Sequence, residues 1–302
     1  MKIKNAIYLL MAATIWGVAF VAQSVGMDYV GPFTFNGIRC LIGCLFLVGW
    51  IRMNHLTGKD KKEEKADERQ IEQSRLLFTG GILCGVVMTV ASMLQQIGLQ
   101  YTTAGKAGFI TALYIVFVPI ASVFLGRRAH INVWISVLIA AVGLYLLCMK
   151  ESLQFSKGDF YVLLCALAFT AHILVVDYYA PKVDGVKLSC IQFLVCGMIC
   201  TICMLIFEHV SVEAVLGAAV PILYAGICSC GIAYTLQILG QRDMNPTIAS
   251  LLLSMESVIS VLAGMIILHQ TMTGREAAGC VLMFAAILIA QIDFANIRKK
   301  KV

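Results

Sequence analysis

Ten long apolar runs separated by short polar breaks dominate this sequence and leave few ways for it to fold. They fall at about 5 to 24, 34 to 52, 76 to 98, 104 to 125, 131 to 149, 159 to 178, 187 to 207, 216 to 239, 247 to 268 and 275 to 293. Each approaches the roughly 20 residues that a helix needs to cross a hydrocarbon layer of about 30 Å. A membrane barrel would alternate apolar and polar residues over about ten positions, whereas "YVLLCALAFTAHILVV" stays apolar for longer than that. Composition agrees: 60% of the 302 residues are hydrophobic and 13% charged, with a mean hydropathy of +0.88, which excludes an ordinary soluble domain. The expected fold class is an all-α integral membrane protein. The first run follows Lys2 and Lys4 as a signal peptide would, but it is of spanning length and no small-x-small cleavage site precedes "SVGMDYVG". It reads as a retained helix.

The net charge of +6 is distributed as a membrane protein distributes it, not as a nucleic-acid binder does. With the amino terminus placed in the cytoplasm, the inner side holds Lys2, Lys4, seven Lys and Arg from Arg52 to Arg75, Arg127, Arg128, Lys182, Lys187, Arg242 and the final "RKKK", eighteen in all. The outer side holds Lys106, Lys150, Lys157 and Arg275, four in all, while Arg39 lies inside a run. By the positive-inside rule both termini are expected to be cytoplasmic, in a multi-pass protein of the cell membrane. All twelve cysteines fall in or beside the apolar runs, so a secreted disulfide framework is not expected. Cys196, Cys200 and Cys203 share one helix face, a spacing that suits a soft metal, but no His or acid joins them and small packing residues are the expected reading.

The one long hydrophilic insert, residues 53 to 74, carries both signs of charge and reads as a solvated cytoplasmic linker or short helix. A weaker break at "KESLQFSKGD" divides the chain into residues 1–150 and 151–302, with five runs in each. The halves resemble one another. "LQQIGLQYTTAG" closes the third run and "LQILGQRDMNP" the eighth, so Gln96 and Gln100 match Gln237 and Gln241 at a constant offset. "FNGIRCLIGCLFL" and "LSCIQFLVCGMIC" correspond likewise, pairing Arg39 with Gln192. An odd number of spans per copy inverts the second copy in the membrane, and inverted repeats are a signature of secondary transporters.

"TIWGVAFVAQSVGMDYVGPFTFNGIRCLIG", "LQYTTAGKAGFITALYIVFVPI" and "LGQRDMNPTIASLLLSMESVISVLAG" resemble the EamA family of the drug/metabolite transporter superfamily, over essentially the whole chain. The resemblance implies ten transmembrane helices in two inverted five-helix repeats around a central cavity, with helices three, four, eight and nine lining it and helices five and ten at the periphery. It also implies movement of small metabolites, commonly amino acids or related compounds and often outward. Where the family carries a Gly-Glu pair ending helices four and nine, this chain has Arg127 and Gln270, and no role of those glutamates carries over. Ser257 stands where the family often has a proline, so a kink there is not expected.

Within the spans, Glu256 is the most informative residue. It lies some nine residues into the ninth run, on the order of 14 Å deep at a rise of about 1.5 Å per residue. An acid near the midplane facing lipid costs roughly 2.5 to 3.5 kcal/mol, so it is expected to face a wet cavity or to be hydrogen-bonded to neighbouring helices. Ser250, Ser254, Ser257 and Ser260 share its span at helical spacing. In the cavity reading Glu256 pairs with a substrate amino group or exchanges it for a proton. His172 is either a proton relay or a satisfied packing residue. Trp16, deeper than the interfacial belt, is either an aromatic wall that stacks on a cationic group or a bulky packing residue. Gln96 and Gln237 are expected near opposite mouths, as gates or as amides bonded to adjacent helix ends. Tyr234 shares the face of Gln237 and either contacts substrate or anchors at the interface, and Tyr114 is a similar candidate. Arg39, expected to snorkel to the headgroups, has attraction of a substrate carboxylate as its functional alternative, with Gln192 as its repeat partner. Pro119 is expected to loosen a turn of the fourth helix.

These residues point to a secondary transporter of small polar metabolites, amino acids or related amines and zwitterions, working by alternating access. The alternatives are a uniporter or exchanger of another metabolite class and, at a distance, an intramembrane enzyme that pairs a glutamate with a histidine. A channel would show a filter loop or charge rings, and a sensor an output domain. No deep cluster of Lys and Arg is present for a phosphorylated anion and no phosphate loop for ATP. The expected partners are a small-molecule substrate, the lipid bilayer and protons. No cofactor, metal or nucleic acid is expected.

Overall fold

The computed structural model describes residues 3–56, 68–102, 104–127, 131–148, 156–267 and 272–291. Lys2, Arg128, Lys150, Gln270, the final "RKKK" and residues 57–67 of the charged insert lie outside them. Among the described residues the chain is helical and has no strand. In order the helices are α1 (Ile3–Gly26), α2 (Pro32–Leu56), α3 (Glu68–Leu99), α4 (Ala104–Ala112), α5 (Tyr114–Phe124), α6 (Ile131–Cys148), α7 (Lys157–Tyr179), α8 (Gly185–Phe207), α9 (Val212–Gly217) and α10 (Ala219–Leu223). A π-helical segment, Tyr224–Ala233, then leads into α11 (Tyr234–Gln241), α12 (Pro246–Leu253), α13 (Met255–Ile267) and α14 (Gly274–Gln291).

Helix starts follow local chemistry. Ser156 and Asp159 form a capping box at the start of α7, Asp184 accepts the Lys187 N–H at the start of α8, and Asn245 caps α12 ahead of Pro246. Glu208, just past α8, accepts the Phe33 and Thr34 N–H groups and the Thr34 hydroxyl, so one carboxylate closes the end of α8 onto the start of α2.

Eight helical stretches among the described residues are long and apolar enough to cross a membrane, and Ile131–Leu147 is apolar but shorter. Their outer surfaces are apolar, with Leu138, Leu205, Ile206, Phe207 and Val281 all exposed. Asn36, Gln96, Ser136, His172, Gln192 and Ser250 are instead fully buried. That is the polarity of a protein solvated by hydrocarbon, and the molecule is a multi-pass membrane protein.

The halves interlock. α2 packs along α8, and α6 along α14; α3 lies against α7 and α8, while α1 lies against α11, α13 and the π segment. α4 and α5 both rest on α7. The largest apolar cluster accordingly joins α1, α5, α6, α12, α13 and α14, and a second gathers Cys40, Met88, Phe193, Cys196, Cys230 and Tyr234.

Candidate functional site

Two spans break near their middles. α4 gives way to α5 at Leu113, and α12 gives way to α13 at Ser254. The offset that relates Gln96 to Gln237 also relates Leu113 to Ser254, so the breaks are equivalent in the repeat. Ser257, where no kink is expected, lies inside α13, and the interruption falls three residues earlier, at Ser254. Serine supplies the local alternative to the ladder: the Ser250 and Ser254 hydroxyls donate to the Thr247 and Leu251 carbonyls, both at 2.8 Å. The fourth span also breaks where proline is absent, because Pro119 sits inside the continuous α5. Pro119 has no N–H to give to the Ile115 carbonyl, so the turn is short of one ladder bond while the helix runs on.

The breaks bring two polar side chains together. Tyr114 opens α5 and Glu256 lies in the first turn of α13, where the dipole of the helix favours negative charge. The Tyr114 hydroxyl donates to Glu256 Oε1 at 3.2 Å. Glu256 is only 6% exposed, and what it meets is a cavity. At Gly17 a side-chain carbon would lie 2.8 Å from the Glu256 carbonyl oxygen, so the bare glycine is what lets α1 touch α13 at this level.

The cavity takes Trp16, Phe20 and Gln23 from α1, Arg39 from α2 and Gln95 from α3. Thr111 and Tyr114 flank the first break, Leu253 and Glu256 the second. Phe169 and Ile173 come from α7, Ser229 from the π segment, and Tyr234 and Gln237 from α11. About 540 Å³ of space free of atoms, part of it open to the outside, surrounds a core of about 40 Å³ within reach of a water-sized centre. That core has room for a few waters, at the rough need of 10–15 Å³ each.

Tyr234 organises one wall. Its ring centroid is 4.5 Å from Trp16, 5.4 Å from Phe193 and 6.2 Å from His172. Behind it His172 Nε2 and Gln192 Oε1 are 2.8 Å apart, both residues wholly buried, with His172 Nδ1 and Gln192 Nε2 left without partners. His172 and Gln192 therefore back the wall rather than line the cavity.

Arg39 requires a correction. It does not snorkel to the headgroups: it is 3% exposed, lies over the Phe35 ring at 5.4 Å and lines the cavity, with Nε unpartnered. A guanidinium buried among packed helices is stabilised by turning to the polar hollow within its reach, and that hollow lies inward of α2. One carboxylate and one guanidinium thus share a single aromatic-walled hollow, and no ion pair joins them in the described residues.

The two glutamines of the repeat part company. Gln237 lines the cavity with its Oε1 unpartnered among the described residues, whereas Gln96 is buried with both amide atoms unpartnered among them. Its neighbour Gln95 takes the cavity position and donates to Thr111 at 3.3 Å. Sequence reasoning also passed over Phe20, Gln23, Thr111, Phe169, Ile173 and Ser229. A signal existed for two of them: the offset that pairs Arg39 with Gln192 pairs Trp16 with Phe169 and Phe20 with Ile173.

The ends of the molecule differ. Where α5 stops, Gly126 turns the chain with φ of 78° and Arg127 pairs with Asp177 of α7 at 2.5 Å. At the opposite end a depression with about 1000 Å³ of space free of atoms, part of it open to the outside, forms a vestibule among Ser24, Met27, Asp28 and Leu99 to Thr102. Gln23 of the cavity and Ser24 of the vestibule are consecutive residues. Among the described residues no group of three His, Cys, Asp or Glu could hold a metal.

Comparison with known proteins places the chain in a family. The sequence model of the EamA-like transporter family matches residues 3–149 and again residues 156–291. An uncharacterized transporter of Archaeoglobus fulgidus is 28% identical over 285 residues, 94% of this chain and 84% of that one. The uncharacterized transporter YoaV of Bacillus subtilis is 22% identical over 303 residues, 97% of this chain and 99% of that one. A solved crystal structure superposes over the whole of both chains with a TM-score of 0.77 at 17% identity, a likeness of fold.

Proposed function

The chain belongs to the EamA-like transporter family, and we propose that within it this protein is a secondary transporter of small zwitterionic metabolites, amino acids or close relatives, working by alternating access. The observation that carries the reading is the shared cavity: Glu256 at one wall suits an ammonium group, Arg39 at another suits a carboxylate, and Trp16, Phe169 and Tyr234 suit an apolar or aromatic body between them. A proton on Glu256 competes with the ammonium group for the same oxygens, which couples substrate release to proton uptake.

The architecture we propose is the ten-span one, two five-span repeats inverted in the membrane with both termini cytoplasmic. Three observations support it. The family model matches the two halves separately, their helices exchange partners in matching pairs, and their middle breaks fall at equivalent positions. On this reading the vestibule is the outer mouth and the Arg127–Asp177 pair closes the inner one. The physiological direction we propose is efflux, with Glu256 loaded from the cytoplasm after that pair opens.

A melting-temperature screen of the purified protein tests the substrate class, because a ligand of the native state stabilises it by mass action. The probes are neutral α-amino acids, the matching amines without a carboxylate and the matching N-acetylated acids without an ammonium group. Only compounds bearing both groups are expected to raise the melting temperature. Equal shifts with the amines or the acids alone would sink the two-pole cavity.

A further inference from the structure

Cysteines crowd one helix contact that the transport reading leaves unused. α2 and α8 approach closely because both are notched by glycine. At Gly197 a side-chain carbon would lie 3.2 Å from the Leu41 backbone nitrogen, and at Gly37 one would lie 3.3 Å from that of Thr201. A disulfide needs its two side-chain carbons within about 3.5–4.5 Å, a separation that only closely packed helices offer. On this contact the Cys40 and Cys196 sulfurs are 3.5 Å apart, and those of Cys44 and Cys190 are 3.8 Å apart. All four are free thiols.

The register is specific. Cys40 and Cys44 stand one turn apart on one face of α2, and their partners descend α8 in the opposite order, as the contact between these helices demands. Packing alone asks only for small side chains, which alanine or serine would supply as well. Two thiol pairs matched across one contact add a chemical capacity that packing does not need. Cys40 and Cys196 are wholly buried, while Cys190 is half-buried and open to a small uncharged oxidant arriving through the bilayer. The attacking species in such oxidation is a thiolate, and Arg39, next to Cys40 in α2, places a buried positive charge close at hand.

We propose that the α2–α8 contact is a redox modification site, in which an oxidant of the peroxide class links Cys40 to Cys196 and Cys44 to Cys190 and so staples one half of the chain to the other. Hydrogen peroxide oxidises one thiol of a pair to the sulfenic acid as its O–O bond breaks and the first water leaves. The partner sulfur then attacks the sulfenic sulfur, the S–O bond breaks, and the departing oxygen takes the partner's proton as the second water. For each pair two electrons pass from the sulfurs to the peroxide, and a dithiol reductant reverses the step. α2 lies in the first stretch matched by the family model and α8 in the second, so the links join the two halves covalently.

Membranes carrying the full chain are treated with hydrogen peroxide, the remaining thiols are alkylated, and the digested protein is mapped by mass spectrometry without reduction. Peptides joining Cys40 to Cys196 and Cys44 to Cys190 are expected, and dithiothreitol should separate them. The melting temperature followed by tryptophan fluorescence should rise by about 2–4 °C on oxidation and fall back on reduction. The double variant Cys40→Ala, Cys44→Ala should show no such shift; if it folds poorly, Cys190→Ala with Cys196→Ala removes the other member of each pair. Recovery of the four cysteines alkylated, their linkage in other combinations, or an unchanged shift in either double variant overturns the proposal. None of these readouts involves transport, so their failure would leave the substrate reading standing.

Discussion

α3 and the stretch from Ala219 to Gln241 carry the same glutamine motif and present it differently. α3 is one regular helix of 32 residues, whereas its counterpart passes through ten residues of π-helix before α11 begins. A π turn is wider than an α turn, so the side chains that follow are rotated relative to those of a regular helix. Gln237 and Tyr234 consequently face the cavity, while the matching Gln96 is turned into packed surroundings and Gln95 takes its place. The broken spans repeat the lesson. Leu113 and Ser254 interrupt equivalent helices, yet one break presents a tyrosine and the other a carboxylate. The halves break at matching positions, and the chemistry presented there is divided between them.

The most damaging test of this contrast removes one residue from the wide segment. Deleting the half-buried Cys228 should let Tyr224–Ala233 rewind as an α-helix and swing Tyr234 and Gln237 out of the cavity. The melting temperature should fall by several degrees and every ligand-induced shift should vanish; a deletion variant that still responds to ligand would mean that the π segment does not set the wall. Next comes Glu256→Gln. A hydrogen bond to a charged group contributes about 1.5–3 kcal/mol, so the amino acid concentration giving half the maximal shift should rise at least about 10-fold, and an unchanged dose response would remove the carboxylate from recognition.

Tyr114→Phe takes away only the bond that steadies Glu256. A bond that steadies the carboxylate without touching the ligand passes on only part of its strength, about 0.5–1.5 kcal/mol, which predicts a dose response weakened by roughly 2- to 10-fold, with the fold intact by circular dichroism. The smallest effect has the opposite sign. Gln96→Leu replaces a buried amide that lacks partners on both atoms, and relief of that desolvation should raise stability by up to about 1 kcal/mol without altering ligand response. Destabilisation by Gln96→Leu together with a weakened ligand response would place Gln96 on the same footing as Gln237 and dissolve the contrast.

The spans were legible because unbroken apolarity over a bilayer's thickness admits few other folds. Glu256 was legible for the complementary reason, since an acid at that depth needs an aqueous or bonded surrounding. The helix breaks were not. Neither Leu113 nor Ser254 is a proline or glycine, and the serine hydroxyls that bond back beside Ser254 do so in unbroken helices as well, so neither position stands out in the sequence. Arg39 misled because position along the helix suggests reach to the headgroups, while the direction of its stem depends on what α8 covers. His172 could be singled out as a polar residue in a span, but its bond to Gln192 depends on how α7 meets α8.

The interlocking of the halves bears on how such a chain can be made. α1, α2 and α3 each find their main contacts on helices that follow residue 156, so during translation the early helices wait in the bilayer with their future contact faces covered only by lipid. Biogenesis then has a late committed step: assembly can lock only after the final helices have left the ribosome and threaded between their predecessors. A truncated product should be recognised as unfinished by membrane quality control however well its individual helices insert.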